Sequence, residues 1–180
     1  MWQTKVSDLN DISSHFYIFS GLPGVGKTTL AKALSSRLKA VYLRVDTVEQ
    51  GLIDLCNYQV EGEGYRLSYR VASDNLELGN IVVSDSCNPI TLTRREWQEV
   101  ASSRGIPYTN IEIVCSDIEE HRKRVESRAA DIDGLIPPSW QAVVDREYDK
   151  WETERIKVDT ASKQPEESVI DLLGKLNIST

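Results

Sequence analysis

The sequence predicts an α/β fold in which short parallel strands alternate with helices. Two observations predict it. First, five short β-rich runs recur along the 180 residues, most of them continuously apolar. Strands of that kind suit a parallel sheet covered on both faces. Second, the segments between the runs carry helical spacing, so the chain reads as successive βαβ units with right-handed crossovers.

Phe16–Ser20 is apolar and aromatic and ends at a glycine turn. Leu30, Leu34 and Leu38 then recur every fourth residue, one face of a helix. Val41–Val45 is the second strand, followed by helical patterns over Thr47–Cys56 and Gly64–Leu78. Ile81–Ser84 is the third strand. A helix over Thr93–Arg104 follows a Thr-Leu-Thr segment that offers an N-cap, and Gly105 and Pro107 stop it. Asn110–Cys115 is the fourth strand. Ser116 or Asp117 caps a charged helix running from Ile118 to about Arg128. Pro137, Pro138 and Ser139 open a helix expected to run through Trp151, which would let Trp140 and Trp151 share a face. Ile156–Asp159 is a weaker fifth strand. Pro165 and Glu166 open the last helix, to Leu176. There is no internal repeat, and one domain spanning residues 1–180 is expected.

Composition narrows the function classes. Apolar residues are 40% and charged residues 27%, ordinary values for a globular chain. The formal net charge of −7 argues against a broad nucleic-acid face, which needs clustered positive charge. Cys56, Cys87 and Cys115 are odd in number and have neither zinc-site nor CxxC spacing, so they read as small apolar residues in a reducing compartment. His15 and His121 are isolated and receive no role. MWQTKVSDLND holds no apolar leader and no run is long enough to cross a bilayer, which leads us to expect a cytoplasmic protein.

The chemistry is concentrated in SGLPGVGKTTL. Gly21, four residues, then Gly26, Lys27 and Thr28 match G-x-x-x-x-G-K-[ST], between a strand and an amphipathic helix. Glycines let the backbone wrap phosphate oxygens with its N–H groups turned inward, and the following helix adds its positive end. Gly21, Leu22, Pro23, Gly24, Val25, Gly26, Lys27, Thr28 and Thr29 are therefore expected to bind the phosphates of ATP. Lys27 reaches the β- and γ-phosphates, and the Thr28 hydroxyl ligates Mg²⁺. No NKxD segment marks a switch GTPase, and the chain is short for an ATP-driven machine.

Three segments downstream supply further candidates. In YLRVDTVEQG, Asp46 sits at the carboxyl end of the second strand, where open α/β sheets bind ligands. A carboxylate there can accept the proton of an attacking hydroxyl or anchor the substrate; it can equally cap the next helix. Arg44 is placed to hold an anionic substrate group. In IVVSDSCNP, Asp85 ends an apolar strand as a second metal ligand does, or makes a local turn, and Asn88 is a candidate substrate contact. In SDIEEHRKRVESRAADIDG, Arg122, Arg124 and Arg128 form a positive cluster able to stabilise a transferring phosphoryl or stack on a base. Glu120 can instead pair with Arg124 on the helix surface. The AADIDGLIPP stretch reads as a lid over about residues 128–139.

Taken together, the phosphate turn, YLRVDTVEQGL, DSCNPITLTRREW and RVESRAADI…PSWQAVVDREYDKW resemble the AAA-domain family of small P-loop kinases. Its broader relatives include gluconate, shikimate and adenylylsulfate kinases, chloramphenicol phosphotransferase and zeta toxins. The resemblance spans about residues 16–176. It implies a three-layer P-loop nucleoside-triphosphate hydrolase fold, with a five-stranded parallel sheet in order 2-3-1-4-5 and a lid. It also implies an ATP-dependent kinase whose acceptor is a small-molecule hydroxyl, acting as monomer or homodimer. By position it implies Asp46 as base or anchor, Arg122 on adenine, Arg124 and Arg128 as lid arginines, with Arg128 catalytic beside Lys27 and Asp46. Residues 159–163 would border the adenine. The acceptor-binding segments of the sugar and shikimate kinases have no match in this chain. An ATP-binding regulatory module, a toxin-like kinase and an RNA-directed kinase stand as the alternatives.

Overall fold

Five strands make one sheet in a computed structural model that describes residues 14–179. The amino-terminal segment read above for a leader lies outside the described residues. In chain order the elements are β1 (Phe16–Ser20), α1 (Lys27–Leu38), β2 (Val41–Arg44), α2 (Val45–Cys56), α3 (Glu63–Glu77) and β3 (Val82–Asp85). They continue with α4 (Thr91–Ser102), β4 (Tyr108–Val114), α5 (Ile118–Ser127), α6 (Trp140–Val144), β5 (Ile156–Asp159) and α7 (Pro165–Lys175). The strand order is β2-β3-β1-β4-β5 and every pairing is parallel, as the resemblance implied.

Strand alternation sorts the core into two halves. Phe16 and Ile18 face one side of the sheet, where α3 and α4 pack through Ala72, Leu76, Trp97, Val100 and Ala101. Phe19 faces the other side, where α1 and α7 pack through Leu30, Ala31, Leu34, Leu172 and Leu173. Each fully buried large side chain contributes about 1.5–3 kcal/mol. The order reverses around β1, with β3 on one side and β4 on the other. Ligand crevices in open α/β sheets form outside the strand ends at such a point.

Three boundaries differ from the sequence reading, each for a tertiary reason. The helix expected from Pro137 through Trp151 is only α6, Trp140–Val144. Residues beyond it are recruited elsewhere. The Asp149 carboxylate accepts from Thr91 N and Oγ1 at 2.6 and 2.7 Å, and Arg94 stacks over the rings of Tyr148 and Trp151. Trp140 packs instead against His121, so the two tryptophans share no face. The same Asp149 contact starts α4 at Thr91, two residues early, with the cap coming from 58 residues away. Lastly, α2 begins at Val45 directly from β2, which puts Asp46 in the first turn rather than at the cap. Asp149→Ala is expected to lower the melting temperature by a few degrees, through loss of this cap. A thermal melt with nucleotide affinity as control checks it; an unchanged melt would show that α4 needs no outside acceptor.

Candidate active site

The turn from β1 to α1 is held from outside by side chains that grip its carbonyls. His121 Nε2 donates to Pro23 O at 2.8 Å, and Thr160 Oγ1 donates to Val25 O at 2.9 Å. Gly21 N donates to Cys87 O at 3.0 Å. With those carbonyls turned outward, the remaining N–H groups are free to face an anion, together with the first N–H groups of α1. Gly24 shows why the sequence is fixed here. Its φ is +85°, and a Cβ would sit 2.5 Å from Val125 Cγ2 of α5.

Above the turn lies a cavity of about 620 Å³, a size suited to a nucleotide or other small molecule. Gly24, Gly26, Lys27, Thr28 and Thr29 line one side. Lys32, Arg124, Arg128 and Asp131 line another, and Thr160, Lys163 and Gln164 close a third. Lys27 Nζ donates to Leu22 O at 3.0 Å. Arg124 is held by Glu120 and by both oxygens of Thr160, its Nη1 donating to Oγ1 at 2.8 Å and its Nη2 to the carbonyl at 2.9 Å. The 159–163 segment therefore borders the cavity through Thr160 and Lys163.

A charged chain leads from this cavity to the end of β2. Arg44, 5% exposed, donates to Asp131 in a bidentate pair at 2.8 and 2.9 Å. The same guanidinium lies 3.6 Å from Asp46 Oδ2 and 4.0 Å from Asp85 Oδ2. Tyr42 donates to Asp85 Oδ2 at 2.7 Å. Burial and the Asp85 carboxylate push the Tyr42 hydroxyl well above its usual pKa, so it stays a donor. Lys32 and Arg128 also approach Asp131, at 3.3 and 3.5 Å. Hydrogen bonding from Arg44 holds the Asp131 carboxyl well below the usual carboxylate range, against an opposing effect of burial. A lowered carboxylate pKa stabilises the folded pairing above the ordinary aspartate range, and the pairing is lost only as pH falls through the lowered value. Asp131→Asn is expected to loosen residues 128–139 and speed limited proteolysis there several-fold at neutral pH. Equal cleavage of both proteins would remove Asp131 as the tie of this segment.

Of the expected residues, Gly24, Gly26, Lys27, Thr28, Thr29, Arg124 and Arg128 line this cavity, while Arg44, Asp46 and Asp85 lie outside it and are joined to its wall through the Arg44–Asp131 pair. Two expectations are corrected. Arg122 does not line the cavity; its side chain is 53% exposed and pairs with Glu126 at 2.9 Å. Two positions along a helix from Arg124 is nearly the opposite face. Asn88 is fully buried, its amide donating to Ser20 Oγ at 2.9 Å and its backbone N–H to Tyr65 Oη, so it pins loops rather than meeting a substrate. Sequence reasoning missed His121, Asp131, Lys32 and Tyr42, and it named Thr160 only as part of the 159–163 segment. His121 had a signal: it and Val125 lie four apart and are the two buried residues of an otherwise charged helix.

Comparison with known proteins agrees with this fold. The AAA domain family matches residues 17–136. No curated protein matches the chain significantly. Among solved structures, the APS kinase of Mycobacterium tuberculosis, in complex with AMPPNP and APS, superposes with a TM-score of 0.69 at 17% identity, covering 92% of this chain and 98% of that one. A gluconokinase from Sinorhizobium meliloti 1021 gives 0.65 at 16% identity, with 91% of each chain covered. A sugar kinase from Janibacter sp. HTCC2649 gives 0.61 at 16% identity, covering 93% and 96%. These likenesses establish the P-loop kinase fold. Among the described residues no helix is long and apolar enough to cross a membrane.

Proposed function

From the premise that the chain belongs to the AAA domain family, we propose that it is an ATP-dependent kinase that phosphorylates a hydroxyl of a small molecule. The observation that carries this reading is the placement of Asp46. Its carboxylate sits beside Arg44, whose other partner, Asp131, forms part of the wall of the Lys27–Thr28 cavity. A candidate proton acceptor is thus tied, through Arg44 and Asp131, to the wall of the candidate phosphate cradle.

ATP binds with its phosphates in the turn, held by the N–H groups of Gly24 to Thr28 and by Lys27. The acceptor oxygen attacks the γ-phosphorus as the bond to the β-bridging oxygen breaks, ADP leaves, and Asp46 takes the hydroxyl proton. Lys27 and Arg128 offset the negative charge spread over the γ-oxygens. Arg124, anchored on Thr160, forms the wall beside the nucleotide. Thr28 and Asp85 fit a magnesium ion: Asp85 is 3% exposed, one oxygen takes the Tyr42 hydrogen bond, and the other accepts none among the described residues. Magnesium would supply charge neutralisation on the β- and γ-phosphates. The kinase neighbours favour a small-molecule acceptor.

The test is an ATP-consumption screen against a library of hydroxylated metabolites, with Lys27→Ala as blank. Acceptor-dependent release of ADP supports the reading. Tight ATP binding with no acceptor-dependent turnover across the library would replace it with a regulatory ATP-binding module.

A further inference from the structure

One face of α2 runs from Asp46 to a second cavity. Glu49 and Gln50 follow Asp46 at three and four residues, so the three are neighbours on the helix surface. Ile53 and Asn57 continue the row. Glu49, Gln50, Ile53 and Asn57 line a cavity of about 600 Å³, closed opposite them by residues 58–61 and by Leu135 of the 128–139 segment. That volume holds a small molecule. The cavity shares no lining residue with the phosphate cavity, and it lies along the row that starts at the proposed base.

Its lining is biased in charge. It contains the carboxylates of Glu49 and Glu61 and no lysine or arginine. Arg44, the cation beside Asp46, is already occupied by Asp131. Glu49 is half-buried, and among the described residues its carboxylate accepts no hydrogen bond; the charges of Asp46, Arg146 and Glu63 act on it. Burial first, and then the neighbouring Asp46, raise its pKa above the usual range; Arg146 opposes this and Glu63 adds to it. Gly64 makes room for the side chain, since a Cβ there would collide with Glu49 Cγ. Gln50 is 7% exposed, and its amide nitrogen donates to Asp54 Oδ1 at 2.8 Å, leaving the amide oxygen available as a second acceptor. A half-buried carboxylate without a partner is costly, and a ligand cation supplies the missing one.

We propose that the acceptor is an alcohol bearing a protonated amine, the amine lying against Glu49 and Gln50 while the hydroxyl reaches Asp46. This rests on the kinase reading above. One helical turn separates the two carboxylates, about 5–6 Å between Cβ atoms. That span suits an amine and a hydroxyl a few bonds apart, as on an amino sugar, an aminocyclitol or an aliphatic amino alcohol.

The test uses the full chain with a non-hydrolysable ATP analogue. Glucosamine, an aminocyclitol and a set of amino alcohols are titrated beside their N-acetyl, neutral and carboxylate counterparts. The amine form is expected to bind about tenfold or more tighter than its N-acetyl form, the scale of a charged hydrogen bond. Glu49→Gln should erase that preference and leave nucleotide affinity unchanged, and Gly64→Ala should weaken it by displacing Glu49. Equal binding of amine and N-acetyl forms, preference for the carboxylate, or an intact preference in Glu49→Gln would overturn the proposal. Turnover separates the two readings. Amine-selective binding with no phosphoryl transfer to any alcohol upholds this site and sinks the kinase assignment. Transfer to neutral or acidic alcohols without amine selectivity does the reverse.

Discussion

Asp46→Asn is expected to lower turnover by about 10²–10⁴, the usual contribution of a positioned base, while the affinity for ATP stays unchanged. The substitution keeps shape and removes only the ability to take a proton. Arg44 keeps its bidentate partner Asp131, so no buried cation is stranded and the fold persists. Asp46 lines no part of the phosphate cavity, which is why nucleotide binding is spared. The measurement is acceptor-dependent ADP release at saturating ATP, paired with nucleotide titration. A variant that retains full turnover with the true acceptor would remove Asp46 as the base and leave it as an anchor.

Lys27→Ala is expected to cost about 10²–10³ in rate, comparable to deleting one preorganised donor to a developing charge. It should also weaken ATP binding. Lys27 spends its Nζ on the Leu22 carbonyl, a contact that a phosphate replaces with a stronger, charge-assisted one. Alanine suits the first turn of α1, so the melting temperature without nucleotide should hold. Added ATP should then stabilise the variant far less than the parent, because ligand stabilisation scales with the logarithm of occupancy. An unchanged ATP-induced shift in melting temperature would show that the cavity binds nucleotide without this lysine.

The glycine turn of the candidate site was legible because its residues are contiguous. Gly21 to Thr29 form a single turn whose geometry needs glycine where it has glycine, so spacing alone locates it. The sheet was legible for a related reason: Phe16–Ser20 and Ile81–Ser84 are short apolar runs that suit burial on both faces. Asp131 was not legible. Its partner Arg44 is 87 residues away, and nothing local distinguishes it from Asp133. The helix expected through Trp151 failed likewise, because the stacking of Arg94 on Tyr148 and Trp151 outweighs a favourable local pattern. Arg122 was grouped with Arg124 and Arg128 by counting charges on one helix without assigning their faces, and its place beside adenine was carried over from the resemblance. Neighbouring charges at i and i+2 do not share a surface.

The Thr160 grip on Val25 spans 135 residues. A chain leaving the ribosome makes its glycine turn early and meets Cys87 and His121 on the way, yet the turn lacks its last brace until Thr160, just after β5, has emerged. Domains consolidate as units, so the cradle acquires its shape only at the end of synthesis. A nascent or truncated chain lacking the last strand would carry the nucleotide signature in its sequence without the rigidity that signature needs. A nucleotide binding the finished form alone would act as a late clamp on folding rather than an early template.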